Sequence, residues 1–201
     1  MPVRFVAPSP ADPYYEVQVY ETGRVATRSE NWHDFFNALA WLAFPRTKAA
    51  INALHAAEIP REGPKRGRLR DLLTLFDEGG AIVRCADPVL EQMIRGFRWK
   101  ELFWAQRERV RRDLRFVVIG HAVLEKALEP WAGITCKAIF AGLDEDPDAA
   151  AARWLGAARS PQELAALPVF GYPGWLSASD RQEFYDDERY FRPLKRKEAR
   201  K

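Results

Sequence analysis

A histidine and an aspartate stand side by side at positions 33 and 34, and an asparagine follows one helical turn later at 37. All three lie in NWHDFFNALAWLAFP, residues 31–45, at the mouth of an apolar helical run. A second pair, His121 and Glu125, is spaced four apart and shares one face if its segment is helical. Imidazole and carboxylate oxygens together suit zinc, or manganese with fewer imidazoles. His33, His121 and Glu125 are therefore the candidate metal ligands, and zinc or manganese the candidate cofactor. The same groups can also do general acid–base work, a histidine taking a proton while a carboxylate fixes its tautomer. His33, Asp34 and Asn37 are the candidate catalytic residues, with His33 as base or ligand and metal-assisted hydrolysis as the chemistry. The plain reading runs beside this one: Asp34 in a first turn complements the helix dipole, and a histidine on an apolar face is a hydrogen-bonded core residue. No HExxH motif is present. His33 lacks a local partner and His121 is a polar misfit in an apolar run, so the two segments are expected to face each other. The side chains of His33 and of His121 or Glu125 should then approach within hydrogen-bond reach, or across one water or ion.

Basic residues gather at 61–70, at 107–115 and from Arg192 onward. Arg111, Arg112 and Arg115 share a helix face with Glu108, which defines an alternative: a non-catalytic binding module for nucleic acid or protein. It would use the Arg107–Arg115 face and exposed tryptophans, with Trp99 or Trp104 for stacking and weak, salt-sensitive phosphate contacts. Glu101, Glu108 and Asp113 partly neutralise that stripe, which also fits a solvated face. In LTLFDEGG, Asp77 and Glu78 could hold an ion, but helix termination at the two glycines accounts for them equally well.

The elements that must position these residues read as follows. YYEVQVY, then ETGR and VATR, has the aromatic and β-branched residues of a β-hairpin turning at Gly23. A helix follows from Phe35 to Phe44, capped by Ser29 or Asn31, and Pro45 opens the next. Hairpin, histidine, asparagine and helix in that order are similar in outline to the His-metal finger nucleases, in which histidine activates water beside one divalent ion. In those proteins the base usually sits on the hairpin, whereas His33 and Asn37 are one turn apart. Further along, LRDLLTLFD reads as a helix, AIVRC as a strand, and ADPVLEQMIRGF as a helix capped by Asp87. Trp99, Leu102, Phe103, Gln106, Val110 and Leu114 form one face of a longer helix, and the window from Leu114 to Leu128 reads as a buried helix. ITCKAIFA is a strand; DEDPDAAAARWLGAA and SPQELAAL are helices, the last with a capping box of Ser160 and Glu163. The expected class is α+β: a mainly helical single domain, residues 1–193, with an N-terminal β-hairpin and one or two further short strands. A basic tail, residues 194–201, is expected to be disordered.

The chain has 201 residues, enough for one ordinary domain, and its 47% hydrophobic content supports a core. A net charge of +3 is too mild to argue for nucleic acid by itself. Cys85 and Cys136 lie far apart in no metal-type spacing, which fits a reducing cytoplasm. The N-terminal residues lack the apolar core of a secretory signal. The longest uncharged run, 164–179, is broken by Pro168 and Pro173 and cannot span a membrane. A soluble cytoplasmic protein is expected.

Several blocks taken together, NWHDFFNALAWLAFPRTKAAIN, LLTLFDEGG, WKELFW, IGHAVLEKALEPWAGITCKA, PVFGYPGWL and DERYFRP, resemble the bacterial domain of unknown function 3025 family. They run from about Tyr15 to Pro193. The resemblance implies a proteobacterial, single-domain, intracellular protein, and it carries no assigned activity onto any residue.

Overall fold

The computed structural model describes residues 2–62 and 66–194. The chain opens with a short strand, β1 (Arg4–Val6), then a helix, α1 (Tyr15–Thr22), and a second strand, β2 (Arg24–Ala26). An N-terminal two-stranded sheet is therefore present, but its strands run parallel, with Phe5 opposite Val25, and α1 lies between them. YYEVQVY is thus helix rather than the first arm of a hairpin. Strand propensity there is overridden by packing: Val19 is fully buried against Val25 and Trp41, which a helical register allows. Gly23 ends α1 in the left-handed region at φ 68°, the usual glycine stop. Without the hairpin, the outline shared with His-metal finger nucleases is also gone.

The next helices are α2 (Trp32–Ala43) and α3 (Pro45–Glu58). Asn31 caps α2 by accepting from the Asp34 N–H at 2.9 Å, and Pro45 opens α3, both as the sequence indicates. After α4 (Arg68–Gly79) the chain passes into β3 (Gly80–Cys85) with no intervening residue. Then come α5 (Pro88–Arg95), α6 (Arg107–Asp113), β4 (Leu114–Val118), α7 (His121–Lys126), β5 (Cys136–Ala141), α8 (Pro147–Ala157) and β6 (Ala165–Leu167).

Strands β3–β6 form one sheet in the order β4-β3-β5-β6, parallel between β3 and β5 and antiparallel at both edges. Side chains alternate across it. Ala81, Val83, Phe116 and Ala138 face a core with Leu90, Trp99, Leu102 and Phe103, while Ile82 and Ile139 face Ile51, Leu72, Phe76 and Leu155. The fold is α+β and mainly helical, as expected, but with more strand than the one or two short pieces anticipated.

Three local expectations are corrected. The long helix from Trp99 is broken: Glu101–Ala105 is a π-helical turn, with the Gln106 N–H bonded to the Glu101 carbonyl at 2.9 Å, and Leu114 already belongs to β4. Residues 114–118 are strand because Leu114 and Phe116 alternate with exposed Arg115 and pair along β3; the helix starts only after Gly120. In SPQELAAL the capping box forms, but it closes a single 3-10 turn, since Ala165–Leu167 is taken up by pairing with β5. The basic tail lies, beyond Leu194, outside the described residues. No helix among the described residues is long and apolar enough to cross a membrane.

Helices α3 and α8 are joined by a buried clasp. The Asp148 carboxylate accepts from the Arg46 N–H at 2.9 Å and from both the N–H and hydroxyl of Thr47 at 2.8 Å. It therefore caps the first turn of α3 from another helix. Asp148→Ala should cost about 2–3 kcal/mol, since it strands buried donors at a helix start. Urea unfolding would measure the loss; a cost under about 0.5 kcal/mol would refute the capping role.

Candidate functional site

Helices α1–α4 and the start of α7 enclose an open cavity of about 410 Å³. Its polar lining comes from helical spacing. Lys48, Asn52 and His55 recur every three or four residues on one face of α3, as His33, Asn37 and Trp41 do on α2. Thr74 and Asp77 come from α4, and His121 is the first residue of α7.

At the floor lies Lys48, only 3% exposed. Its Nζ donates to Asn37 Oδ1 at 2.8 Å and to Asp77 Oδ1 at 2.5 Å, and Asn37 Nδ2 donates in turn to the Tyr15 hydroxyl at 3.1 Å. The other Asp77 oxygen is 3.7 Å from Nδ1 of His121. That nitrogen is buried and has no hydrogen-bond partner within 3.5 Å. The His121 ring meets His33 edge to face, centroids 4.5 Å apart at 80°. His33 Nδ1 lies 3.5 Å from Asp34 Oδ1. Asp34 itself is clamped by Arg28, whose Nε, Nη2 and backbone N–H all donate to it at 2.8 Å.

A second branch leaves the cavity through His55. Its Nδ1 accepts from Arg70 Nε at 3.2 Å, and Arg70 also donates to Glu62 and to the Tyr14 hydroxyl, both at 3.0 Å. An arginine is a donor only, so His55 Nδ1 carries a lone pair and its proton is on Nε2.

Glycine sets the approach of Asp77 to His121. A Cβ on Gly120 would come within 2.5 Å of the Glu78 carbonyl and 2.6 Å of the Gly80 nitrogen. Only a residue without a side chain lets the start of α7 rest on the α4–β3 junction.

The electrostatics follow from burial and these partners. Burial opposes the charge of Asp77, but Lys48 and then His121 outweigh it and hold its carboxyl below the ordinary range. Burial, helped by Lys48 and His33 against the pull of Asp77, pushes His121 down to about 4. Burial and then Arg70 do the same to His55, also to about 4. Arg28 lowers Asp34 to about 2. At neutral pH the site therefore holds two neutral imidazoles, His55 and His121, beside ionised Asp34 and Asp77.

The structure brings His33, Asp34, Asn37 and His121 to one cavity and places the two histidine rings in contact. Glu125 does not line it. Among the described residues, no group of three or more His, Cys, Asp or Glu side chains is arranged to hold a metal ion. The arginine face is largely tied down. Arg111 pairs with Glu108 at 3.1 Å, Arg112 with Asp113 at 2.7 Å, and Arg115 donates to backbone carbonyls. Trp99 is buried, with its N–H on the Arg192 carbonyl, and Trp104 lies under the Arg107 guanidinium; the exposed tryptophans are Trp32, Trp131 and Trp175. Sequence reasoning missed Lys48, His55 and Tyr15, and it set Asp77 aside as helix termination. The visible signal was KAAINALH, where polar residues recur at helical spacing in an alanine-rich helix.

Fold and cavity together define an α+β protein with a helix-walled polar pocket. The family model "Protein of unknown function (DUF3025)" matches residues 3–195, and the chain belongs to that family. No curated protein and no solved structure matches it.

Proposed function

We propose that the cavity is an active site for general acid–base catalysis, in which a water attacks a polarised carbonyl or ester carbon of a small substrate. The observation that carries this reading is the row of Lys48, Asp77 and His121 at the cavity floor, in which Asp77 holds Lys48 by a hydrogen bond and approaches His121 Nδ1 to 3.7 Å. With Nδ1 turned to Asp77, His121 Nε2 is the nitrogen left to take a proton from water, and Asp77 steadies the imidazolium that results. His55 is fixed the other way round by Arg70, so it offers Nε2–H as a neutral donor to an oxygen that gains charge. Lys48 spends two of its three N–H donors on Asn37 and Asp77, and the third adds to that stabilisation. His121 then returns its proton to the leaving group.

A metal-assisted version centred on His33 and His121 is the second reading, supported by the contact of their rings. It would require Asp77 to exchange its ammonium partner for the ion. The two nearest carboxylates are already neutralised, Asp34 by Arg28 and Asp77 by Lys48, and that donor set favours proton transfer over cation binding.

The test is turnover of a panel of chromogenic esters and amides by chelator-treated protein. Activity should survive chelation and fall by at least about 100-fold in His121→Gln, in line with the 10²–10⁴ supplied by a positioned base. Turnover that vanishes with chelator and returns with zinc or manganese would establish the metal version instead. Absence of turnover across the panel would refute both.

A further inference from the structure

Helix α2 is built inside out. His33, Asp34 and Asn37 face the cavity, whereas Trp32, Phe35, Leu39 and Leu42 are 58%, 48%, 40% and 65% exposed. Steps of three, four and three residues lay these side chains along one stripe, the spacing of a helix–helix seam. Trp32, Phe35 and Phe36 already pack on one another, with centroids 5.6, 5.7 and 6.0 Å apart, so the stripe starts with a preformed aromatic cluster. No charge interrupts it. Asp34 is the only charged residue of α2, and it lies on the cavity side, bound to Arg28.

Single exposed apolar residues are ordinary, but a continuous row is not. Aromatic side chains carry about 150–250 Å² each, so this row presents on the order of 400 Å² of apolar surface per chain. Two such rows with their rims reach roughly 1,200 Å², where specific interfaces begin. We infer that the outer face of α2 is the contact between two copies of this chain, related by a two-fold axis. An isologous contact must be complementary to itself, and an uncharged apolar row is. A helix built to lie on a membrane would carry lysine or arginine along its polar face; α2 has neither. The dimer would cover the outer side of the helix whose inner side holds His33 and Asn37, fixing the site wall from behind.

Sedimentation of the full chain between about 1 and 100 µM tests this, a range suited to an interface at the small end of the specific class. The expected result is a monomer–dimer equilibrium whose dissociation constant rises at least 100-fold in Leu39→Glu and in Leu42→Glu, with unchanged circular dichroism. Val89→Glu, at an exposed position on α5, should leave the constant unaltered. A wild-type chain that stays monomeric at about 100 µM would overturn the proposal. So would variants that dimerise as the wild type does, or a monomer that binds phospholipid vesicles through Leu39 and Leu42.

Discussion

Stability should fall steeply as pH drops from about 6.5 toward about 4, the span between the ordinary imidazole value and the values His55 and His121 take in the fold. In that window the unfolded chain holds a proton on each ring and the folded chain does not. Protons therefore favour unfolding: the stabilisation is complete above the unfolded value and is lost as pH falls toward the folded one. At about 1.36 kcal/mol per unit, each histidine contributes up to roughly 3 kcal/mol. Both rings are only 4% exposed, so solvent screening does little to reduce this. Two such terms are a large part of the 5–15 kcal/mol typical of a domain. Urea unfolding followed from about pH 7 to 4.5 should show the decline, and His55→Gln and His121→Gln should each flatten it. A profile already flat in the wild-type protein would mean that neither ring resists its proton. Asp34 falls outside this window, because its lowered carboxyl contributes fully above the ordinary carboxyl value of 3.8 and loses that contribution only as pH falls from there toward about 2.

Removing Asp77 is the second large effect. Lys48 is 3% exposed, and its ammonium has one acidic partner and one amide oxygen. Asp77→Ala leaves that charge buried without its counter-charge, which typically costs about 3–5 kcal/mol. Lys48→Met should cost less, because the Asp77 side chain is 21% exposed and can turn toward water. The double variant should recover much of the loss, since no unpaired charge remains. Thermal or urea unfolding of the three variants decides it. If Asp77→Ala lost under about 1 kcal/mol, or if the losses simply added, Lys48 and Asp77 would not be acting as a pair.

Where local chemistry decided the structure, the sequence could be read. Asn31 as cap, Pro45 as helix opener, Asp87 before Pro88, and the short apolar runs of β3 and β5 all work within a few residues, and all stand as expected. Where a distant partner decided, it could not. YYEVQVY is helical because Val19 meets Val25 and Trp41, and 114–118 is strand because β3 is there to pair with it. The site divides in the same way. His33 and His121 stood out as polar misfits in apolar runs, and their rings do come together, though edge to face and not through the expected hydrogen bond. Lys48 and His55 gave less sign of themselves, for a lysine or histidine in an alanine-rich helix ordinarily marks a solvated face. Asp77 was hidden by a sufficient local explanation, helix termination before two glycines. Glu125 shares a helix and a face with His121, but it lies one turn further along α7 and does not reach the cavity.

Helix α4 holds Arg70, Thr74 and Asp77 to the same side, and Gly80 enters the sheet directly after its last residue. Arg70 and Asp77 are seven residues apart, almost two full turns, so each reaches its own histidine. One residue inserted or deleted between them would turn Arg70 about 100° away while the sheet kept Asp77 in place. The segment from Arg70 to Gly80 thus has a fixed length, tolerant of exchange at Asp71 or Leu75 but closed to any change in register. In this stretch the letters can drift while the count cannot.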